Sequence, residues 1–284
     1  SLGLYSPTVY LGALPMDEQG KKAIVEREIR ARLFPQPGDL LYLHLADLLL
    51  AMEKFPTSDS LGVLDYGAGL APYRSLFPHS QYRTADVSSK LCVGRDALVQ
   101  TPARNEAFQE PDYVILPDGR IDEKSNTFDL ILSTQVLEHV ADPQTHLSES
   151  FRLLKPGGKL FLTTHGSYED HGLPYDFRRW TAEGLKYDLK KIGFEIVSVE
   201  KVTTNSRAIM WYFQMYVETM GASRKSLVGL FQWLCRSIPR RWIHKAADRA
   251  YSNCRVVPAN ASGQNIYLSL AALAKRPDEA THSL

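Results

Sequence analysis

Residues 61–77 read LGVLDYGAGLAPYRSLF. A short apolar run, Val63 and Leu64, ends at an acid, Asp65, and passes into a glycine turn at Gly67 and Gly69. After Pro72, Leu76 and Phe77 are spaced as the inner face of a helix. Strand, glycine turn and helix together build a ligand crevice at the carboxyl ends of a parallel sheet. Glycine lets backbone approach a ligand closely, and a starting helix offers unpaired N–H groups. The dinucleotide fingerprint wants glycine at its first, third and sixth positions. Gly67 and Gly69 fit, but Pro72 takes the sixth. That proline, with an acid at the strand end, suits a cationic ammonium group better than a pyrophosphate. The bland alternative is a plain strand–turn–helix connection.

Moving outward, Tyr82 to Val87 (YRTADV) reads as a second strand ending at Asp86, where an acid accepts hydrogen bonds from ribose hydroxyls. Ser88 to Pro111 shows no clear period and suits one helix and a loop. Tyr113 to Leu116 is strand-like, and Phe128 to Ser133 (FDLILS) reads as a central strand of a parallel sheet. Asp142-Pro143 starts a helix with Leu147, Phe151 and Leu154 inward; Lys155-Pro156-Gly157-Gly158 ends it before the strand Lys159 to Thr164. Thr181 caps a helix that stops near Gly193. Phe194 to Val202 and Ile266 to Leu273 complete the strands. Upstream, helices are expected over Lys21–Leu33 and Leu40–Phe55, covering one edge of the sheet or forming part of a lid.

The bulk properties fit a soluble globular chain: 284 residues, 44% hydrophobic and 23% charged. A net charge of +1 gives no reason to expect nucleic-acid binding. Three scattered cysteines, Cys92, Cys235 and Cys254, form no disulfide or zinc spacing and point to a reducing compartment. The start, SLGLYSPTVY, does not read as a signal peptide. The expected location is cytoplasmic.

Residues 118–140, DGRIDEKSNTFDLILSTQVLEHV, and 147–165, LSESFRLLKPGGKLFLTTH, make a more specific case. They resemble the class I S-adenosylmethionine-dependent methyltransferases, particularly the type 11 group. The resemblance spans roughly 60–202 and returns at the final strand. It implies a Rossmann-like, doubly wound, mostly parallel seven-stranded sheet within an α/β fold. The expected parts are a helical lead-in (1–58), a core (59–204), a basic amphipathic helical insertion (205–263), the last core strand (264–275) and a loose tail (276–284). The implied cofactor is S-adenosyl-L-methionine. Asp65, Gly67 and Gly69 would hold its methionine part and Asp86 its ribose. Asp118 and Gly119 would meet the adenine, and Gln135 and Val136 would line the methyl end. Ala71 stands where many members have a third glycine, and a negative φ is expected there.

Residues 165–181, HGSYEDHGLPYDFRRWT, follow the fifth strand, where this family places acceptor-binding groups. The phrase resembles one in members associated with bacterial cell-surface polysaccharide clusters. His171 is a candidate general base held by Asp176, and His139 is a further catalytic candidate. Each also has a structural reading: a hydrogen bond at a helix start for His139, a salt bridge to arginine for Asp176. No metal is assigned. The expected reaction is O-methylation of a sugar hydroxyl in surface-glycan biosynthesis. The alternatives are a small-metabolite O- or N-methyltransferase and a non-catalytic methyltransferase-like binding protein.

Between the last two strands, residues 205–262 carry nine Lys or Arg and two acids, a local net of +7, interleaved with Trp211, Tyr212, Phe213, Phe231, Trp233 and Trp242. A basic amphipathic insert of this kind suits an anionic membrane surface, at the inner membrane face. A helical cap on the sheet or a homodimer face stands beside that reading.

Overall fold

The computed structural model describes residues 17–54, 61–88, 110–172, 174–219, 226–263 and 265–278. The segment 89–109, where a helix and loop were expected, lies outside the described residues, as does most of the tail.

Eight strands form one sheet: β1 (Gly62–Tyr66), β2 (Gln81–Asp86), β3 (Tyr113–Val114), β4 (Phe128–Thr134), β5 (Leu154–His165), β6 (Glu195–Thr204), β7 (Val256–Pro258) and β8 (Tyr267–Lys275). Their order is β3-β2-β1-β4-β5-β8-β6-β7. The run β3 to β5 is parallel, and β8 enters antiparallel between β5 and β6. Seven strands were expected; the eighth is β7, a three-residue strand pairing antiparallel to β6 at the sheet's edge. It is too short for residue periodicity to announce it.

Alternation along the strands sends side chains to two faces. Leu64, Ile131, Leu160 and Leu162 meet Leu147 and Leu153 of α3 (Pro143–Leu153) and Leu185 and Leu189 of α4 (Ala182–Ile192). Val63, Leu130, Leu132 and Phe161 meet Leu33 of α1 (Glu18–Leu33) and Leu48, Ala51 and Met52 of α2 (Tyr42–Glu53). The N-terminal helices cover this face chiefly toward the β8-β6-β7 edge, as expected: α2 touches β6, β7 and β8, and α1 packs on α2.

Local chemistry sets the ends. Asp142 accepts from the N–H groups of Gln144 and Thr145, with Pro143 in the first turn of α3. Thr181 caps α4, and Gly193 closes it at φ 112°. Two expectations fail. After β1 there is only a short 3₁₀ turn, Arg74–Leu76, not a helix. The stretch 155–158 does not separate α3 from a strand beginning at Lys159. It belongs to β5, whose register with β4 shifts between Phe128 and Leu130, with Gly157 at φ 76°.

Between β6 and β8 lie α5 (Asn205–Thr219), α6 (Leu227–Arg236) and α7 (Arg240–Ala250). Helix α5 buries Ala208, Trp211 and Met215 against Leu43 and Ala46 of α2. Gly38 N–H donates to His244 Nδ1 at 2.9 Å, so the neutral ring's Nε2–H donates to Gln214 Oε1 at 2.6 Å. Helix α6 buries only Gly229 and Gln232.

Candidate active site

At the carboxyl end of β1 the chain buries an acid. Asp65 is buried; its Oδ2 accepts from the Tyr82 hydroxyl while Oδ1 has no hydrogen-bond partner. Desolvation raises its carboxyl to about 7, against the opposing hydrogen bond from Tyr82, and nearby Asp86 pushes it further up. Gly67 follows at φ 87°, and a Cβ built there would stand 2.5 Å from Val136 Cγ2. The turn thus lies directly against the residue after β4. Gly69, at φ 56°, donates its N–H to Asp86 Oδ2 at 2.7 Å, and Val87 N–H reaches Oδ1 at 2.7 Å. Asp86 is held in place at the end of β2. Ala71 sits at φ 48°, so the expectation of a negative φ is corrected: the turn needs a left-handed residue there.

Gln135, next to Val136 at the end of β4, also has a positive φ, 56°. Its Nε2 donates to Thr163 Oγ1 at 3.0 Å, which leaves Oε1 buried and unpartnered. Two orphaned acceptors, Asp65 Oδ1 near the end of β1 and Gln135 Oε1 just after β4, therefore lie at the same ends of neighbouring parallel strands. A buried acceptor without a donor costs roughly 1–3 kcal/mol. The ammonium of S-adenosylmethionine would supply an N–H donor to Asp65, and its sulfonium a positive charge that the Gln135 carbonyl dipole would stabilise, so these residues fit S-adenosylmethionine. Asp118 is exposed and accepts from Arg120 N–H at 3.1 Å. The adjoining Gly119, at φ 81°, packs against Thr145, and its carbonyl accepts from the Tyr66 hydroxyl.

Past Val136 the character changes to imidazoles and carboxylates. His139 donates from Nδ1 to the Tyr175 carbonyl at 2.7 Å, and its ring meets His171 edge-on at 4.7 Å between centroids. Asp176 accepts from His171 N–H at 2.9 Å and lies 3.4 Å from His171 Nδ1. Both Asp176 oxygens are forked by Arg179, at 2.5 and 2.6 Å. Desolvation lowers the His171 pKa, as does His139, while Asp176 opposes the shift. The structure thus brings His139, His171 and Asp176 together.

The same cluster holds Glu138 and His44, for which no role was expected, and His165, from the segment expected to bind the acceptor. Glu138 is fully buried, accepts from Thr164 Oγ1 at 2.8 Å, and is pushed up to about 7, chiefly by desolvation. His165, closing β5, stacks on Tyr168 at 4.0 Å. Tyr168 in turn packs on Trp211 of α5, and His44 of α2 on both His165 and Tyr168. Burial lowers His44 to about 3, so it is neutral. Glu138 and His165 adjoin residues already singled out in the LEHV and HGS phrases. Nothing in the pattern of α2 marks His44, because it occupies an ordinary inward helical position.

A 3-2-1-4-5 parallel run, an antiparallel strand beyond it, and a glycine-and-acid crevice across the β1 and β4 ends define a class: the Rossmann-like fold of the class I S-adenosylmethionine-dependent methyltransferases. The chain belongs to this family, since the family model described as a methyltransferase domain matches residues 41–199, more than half of it. Among curated relatives, the mitochondrial ubiquinone biosynthesis O-methyltransferase of Homo sapiens is 46% identical over 44 residues, 16% of this chain and 12% of that protein. Its counterpart from Coxiella burnetii (strain Dugway 5J108-111) is 32% identical over 131 residues, 45% of this chain and 54% of that one. The chain thus spans about half the length of the second relative and far less of the first. A solved structure from Thermotoga maritima, an S-adenosylmethionine-dependent methyltransferase described as a possible histamine N-methyltransferase, shares the fold. Its TM-score is 0.50 at 14% identity, covering 90% of this chain and 97% of that one.

Proposed function

We propose that this protein transfers a methyl group from S-adenosylmethionine to a hydroxyl of a small molecule. The carrying observation is the pair of buried, unpartnered acceptors Asp65 Oδ1, near the end of β1, and Gln135 Oε1, just after the neighbouring β4. Bound S-adenosylmethionine supplies a methyl group already activated on sulfur. What remains for the chain is alignment, worth about 7–11 kcal/mol when well executed, and management of the acceptor proton. Asp65 and the Gly67–Gly69 backbone take the methionine end, Asp86 the ribose, Asp118 with Gly119 the adenine, and Gln135 with Val136 the methyl side. His139 and His171 stand past the methyl end, with Asp176 positioning His171.

Donor binding tests this reading. With its carboxyl raised to about 7, Asp65 is largely protonated below that pH in the free protein and must ionise to hold an ammonium. Binding therefore releases a proton at lower pH. Affinity is expected to rise about tenfold per pH unit up to 7, and to fall again above about 8 as the donor's own α-amino group loses its proton. Calorimetry between pH 5.5 and 8.5 reads this, and Asp65→Asn flattens the rising limb at weak affinity. No binding of the donor by the parent protein sinks the enzyme reading and leaves a methyltransferase-like binding protein.

For the acceptor, a sugar hydroxyl of a surface glycan is the finer proposal. Its support is the polar lining at 165–181 and that segment's resemblance to polysaccharide-cluster members. The named relatives, which act in ubiquinone biosynthesis, favour a second reading, O-methylation of a small phenol-like metabolite. A screen of nucleotide sugars, lipid-linked oligosaccharides and phenols separates the two, and turnover of phenols alone rejects the glycan.

The insertion is proposed to rest on an anionic lipid surface. Helix α5 is a cap, but α6 leaves Leu227 86% exposed and Leu230, Phe231, Trp233 and Leu234 largely uncovered. Arg241, Lys245 and Arg249 are exposed on the next helix, α7, and suit anionic headgroups. Arg207 and Arg255 do not contribute, since both are spent on Asp47. Among the described residues no helix is long and apolar enough to cross a membrane. The protein is expected to float with vesicles containing phosphatidylserine and to stay behind with phosphatidylcholine alone. Trp233→Ala combined with Phe231→Ala should abolish flotation. Absence from both floats, with dimers in sedimentation, assigns the face to a second copy instead.

A further inference from the structure

We propose that Glu138, His165 and His171 form a binding site for one divalent metal ion of the zinc type. Among the described residues these three each offer a ligand atom, all within 4.8 Å of one another. They come from the turn after β4, the end of β5 and the loop beyond it, so no sequence spacing announces them.

The hydrogen-bond network around the cluster ends in two lone pairs that face each other. Thr203 donates its only hydroxyl proton to Asp47 Oδ2 at 3.0 Å. It can therefore only accept from His44 Nδ1, at 3.5 Å, which places the His44 proton on Nδ1. His44 Nε2 then accepts from the Ser269 hydroxyl at 3.3 Å. With that proton committed, Ser269 Oγ accepts from His165 Nδ1–H at 3.1 Å. The neutral His165 is left with a bare Nε2, and 3.2 Å away stands Glu138 Oε1, buried and without a hydrogen-bond partner. Two acceptors at that distance repel unless a proton or a metal cation lies between them. Donors about 2.0–2.1 Å from a tetrahedral zinc ion stand about 3.3 Å apart, close to the observed separation.

Each donor is also braced on its other atom, as metal ligands are. Glu138 Oε2 accepts from Thr164, His165 Nδ1–H is held by Ser269, and His171 Nδ1 lies 3.3 Å from the Glu169 carbonyl. That last contact assigns the His171 proton to Nδ1 and frees Nε2. Arg179, the nearby cation, is neutralised by its fork onto Asp176. Two histidines and one glutamate form the donor set of open zinc sites, which keep a further coordination position for water or substrate. An acceptor hydroxyl on that position would lose its proton more readily, next to the methyl end at Gln135. This use rests on the methyl-transfer reading, whereas metal binding does not.

The test needs neither donor nor acceptor. Tag-free full-length protein is stripped with a chelator, dialysed and titrated with Co²⁺, read by visible absorption, and with Zn²⁺, read by calorimetry. One equivalent is expected to bind with the absorption of a four- or five-coordinate ion. Losing an outer-shell brace costs about 10–100-fold, so Thr164→Val falls in that range, and Glu138→Gln or His171→Ala costs at least about 100-fold. His171 lies half-buried on a loop, so His171→Ala keeps the test valid even where the fully buried Glu138→Gln fails to fold. The exposed His79→Ala is the control and should bind as the parent does. No stoichiometric uptake by the parent, or uptake unchanged in His171→Ala, overturns the site and leaves a proton between Glu138 and His165.

Discussion

Alanine at position 67 is expected to weaken the fold and all but abolish turnover. Gly67 has φ 87°, and a Cβ there would lie 2.5 and 2.6 Å from the two γ-methyls of Val136. The left-handed conformation costs a non-glycine residue roughly 1–2 kcal/mol. Overpacking adds about 1–3 kcal/mol, because Val136 is fixed behind Gln135, whose own backbone is bonded to Thr163. Relief by shifting the turn moves Gly69 away from Asp86, and a displacement of about 1 Å can cost 100-fold in rate. Thermal melts and donor calorimetry read the two effects separately. Gly67→Ala combined with Val136→Ala should recover the overpacking share of stability but not the conformational share. Parent-like stability and binding in the single variant would falsify the close approach.

The glycine-and-acid crevice proposed for the donor was legible in the sequence, and the imidazole cluster beyond it only in part: His139, His171 and Asp176 were singled out, but not how Glu138, His165 and His44 join them. Asp65, Gly67, Gly69 and Asp86 are fixed by one strand–turn–strand sequence, so local pattern carries them. The phrases around Gln135 and Pro156 place β4 and β5 by resemblance. By contrast His44, Glu138, His165 and His171 meet only because α2, β4, β5 and the following loop converge, and no periodicity encodes that meeting. The short turn at 74–76 was misread as a helix for a related reason. Leu76 and Phe77 are apolar at helical spacing, yet Phe77 packs on the α1–α2 face of the sheet from a turn that needs left-handed residues at Gly69 and Ala71. In the insertion, charge counting treated nine basic residues alike. Burial separates Arg207 and Arg255, which hold the interior together, from Arg241, Lys245 and Arg249, which face outward.

Removing the Asp47 carboxylate should cost about 3–5 kcal/mol of stability, because it strands a buried guanidinium. Asp47 lies fully buried on α2 and accepts from Arg207 at 2.9 Å on each oxygen, from Arg255 at 2.6 Å and from Thr203 at 3.0 Å. Arg207 is itself fully buried; its other arm reaches Asp248, which also accepts from Tyr42. In Asp47→Ala, Arg207 keeps only that half-exposed carboxylate, and Arg255 retains one carbonyl contact, to Ala46. For a chain of this size the loss corresponds to a melting point roughly 10 °C lower. Replacing both partners by apolar groups of similar volume, Asp47→Leu with Arg207→Met, should recover most of the deficit, since a missing ion pair costs far less than a broken one. Such non-additivity separates an electrostatic hub from a packing defect, and a single-variant cost under about 1 kcal/mol refutes the hub. The consequence reaches the acceptor side. Without Asp47, Thr203 can turn its proton toward His44 Nδ1, which reverses the His44 tautomer and the hydrogen bonds through Ser269 to His165. Helix α5 also loses its ion pair to α2, which loosens Trp211 against Tyr168. Asp47→Ala is therefore expected to impair turnover at temperatures where it remains folded, while donor affinity, set at the far tips of β1 and β2, stays near the parent value.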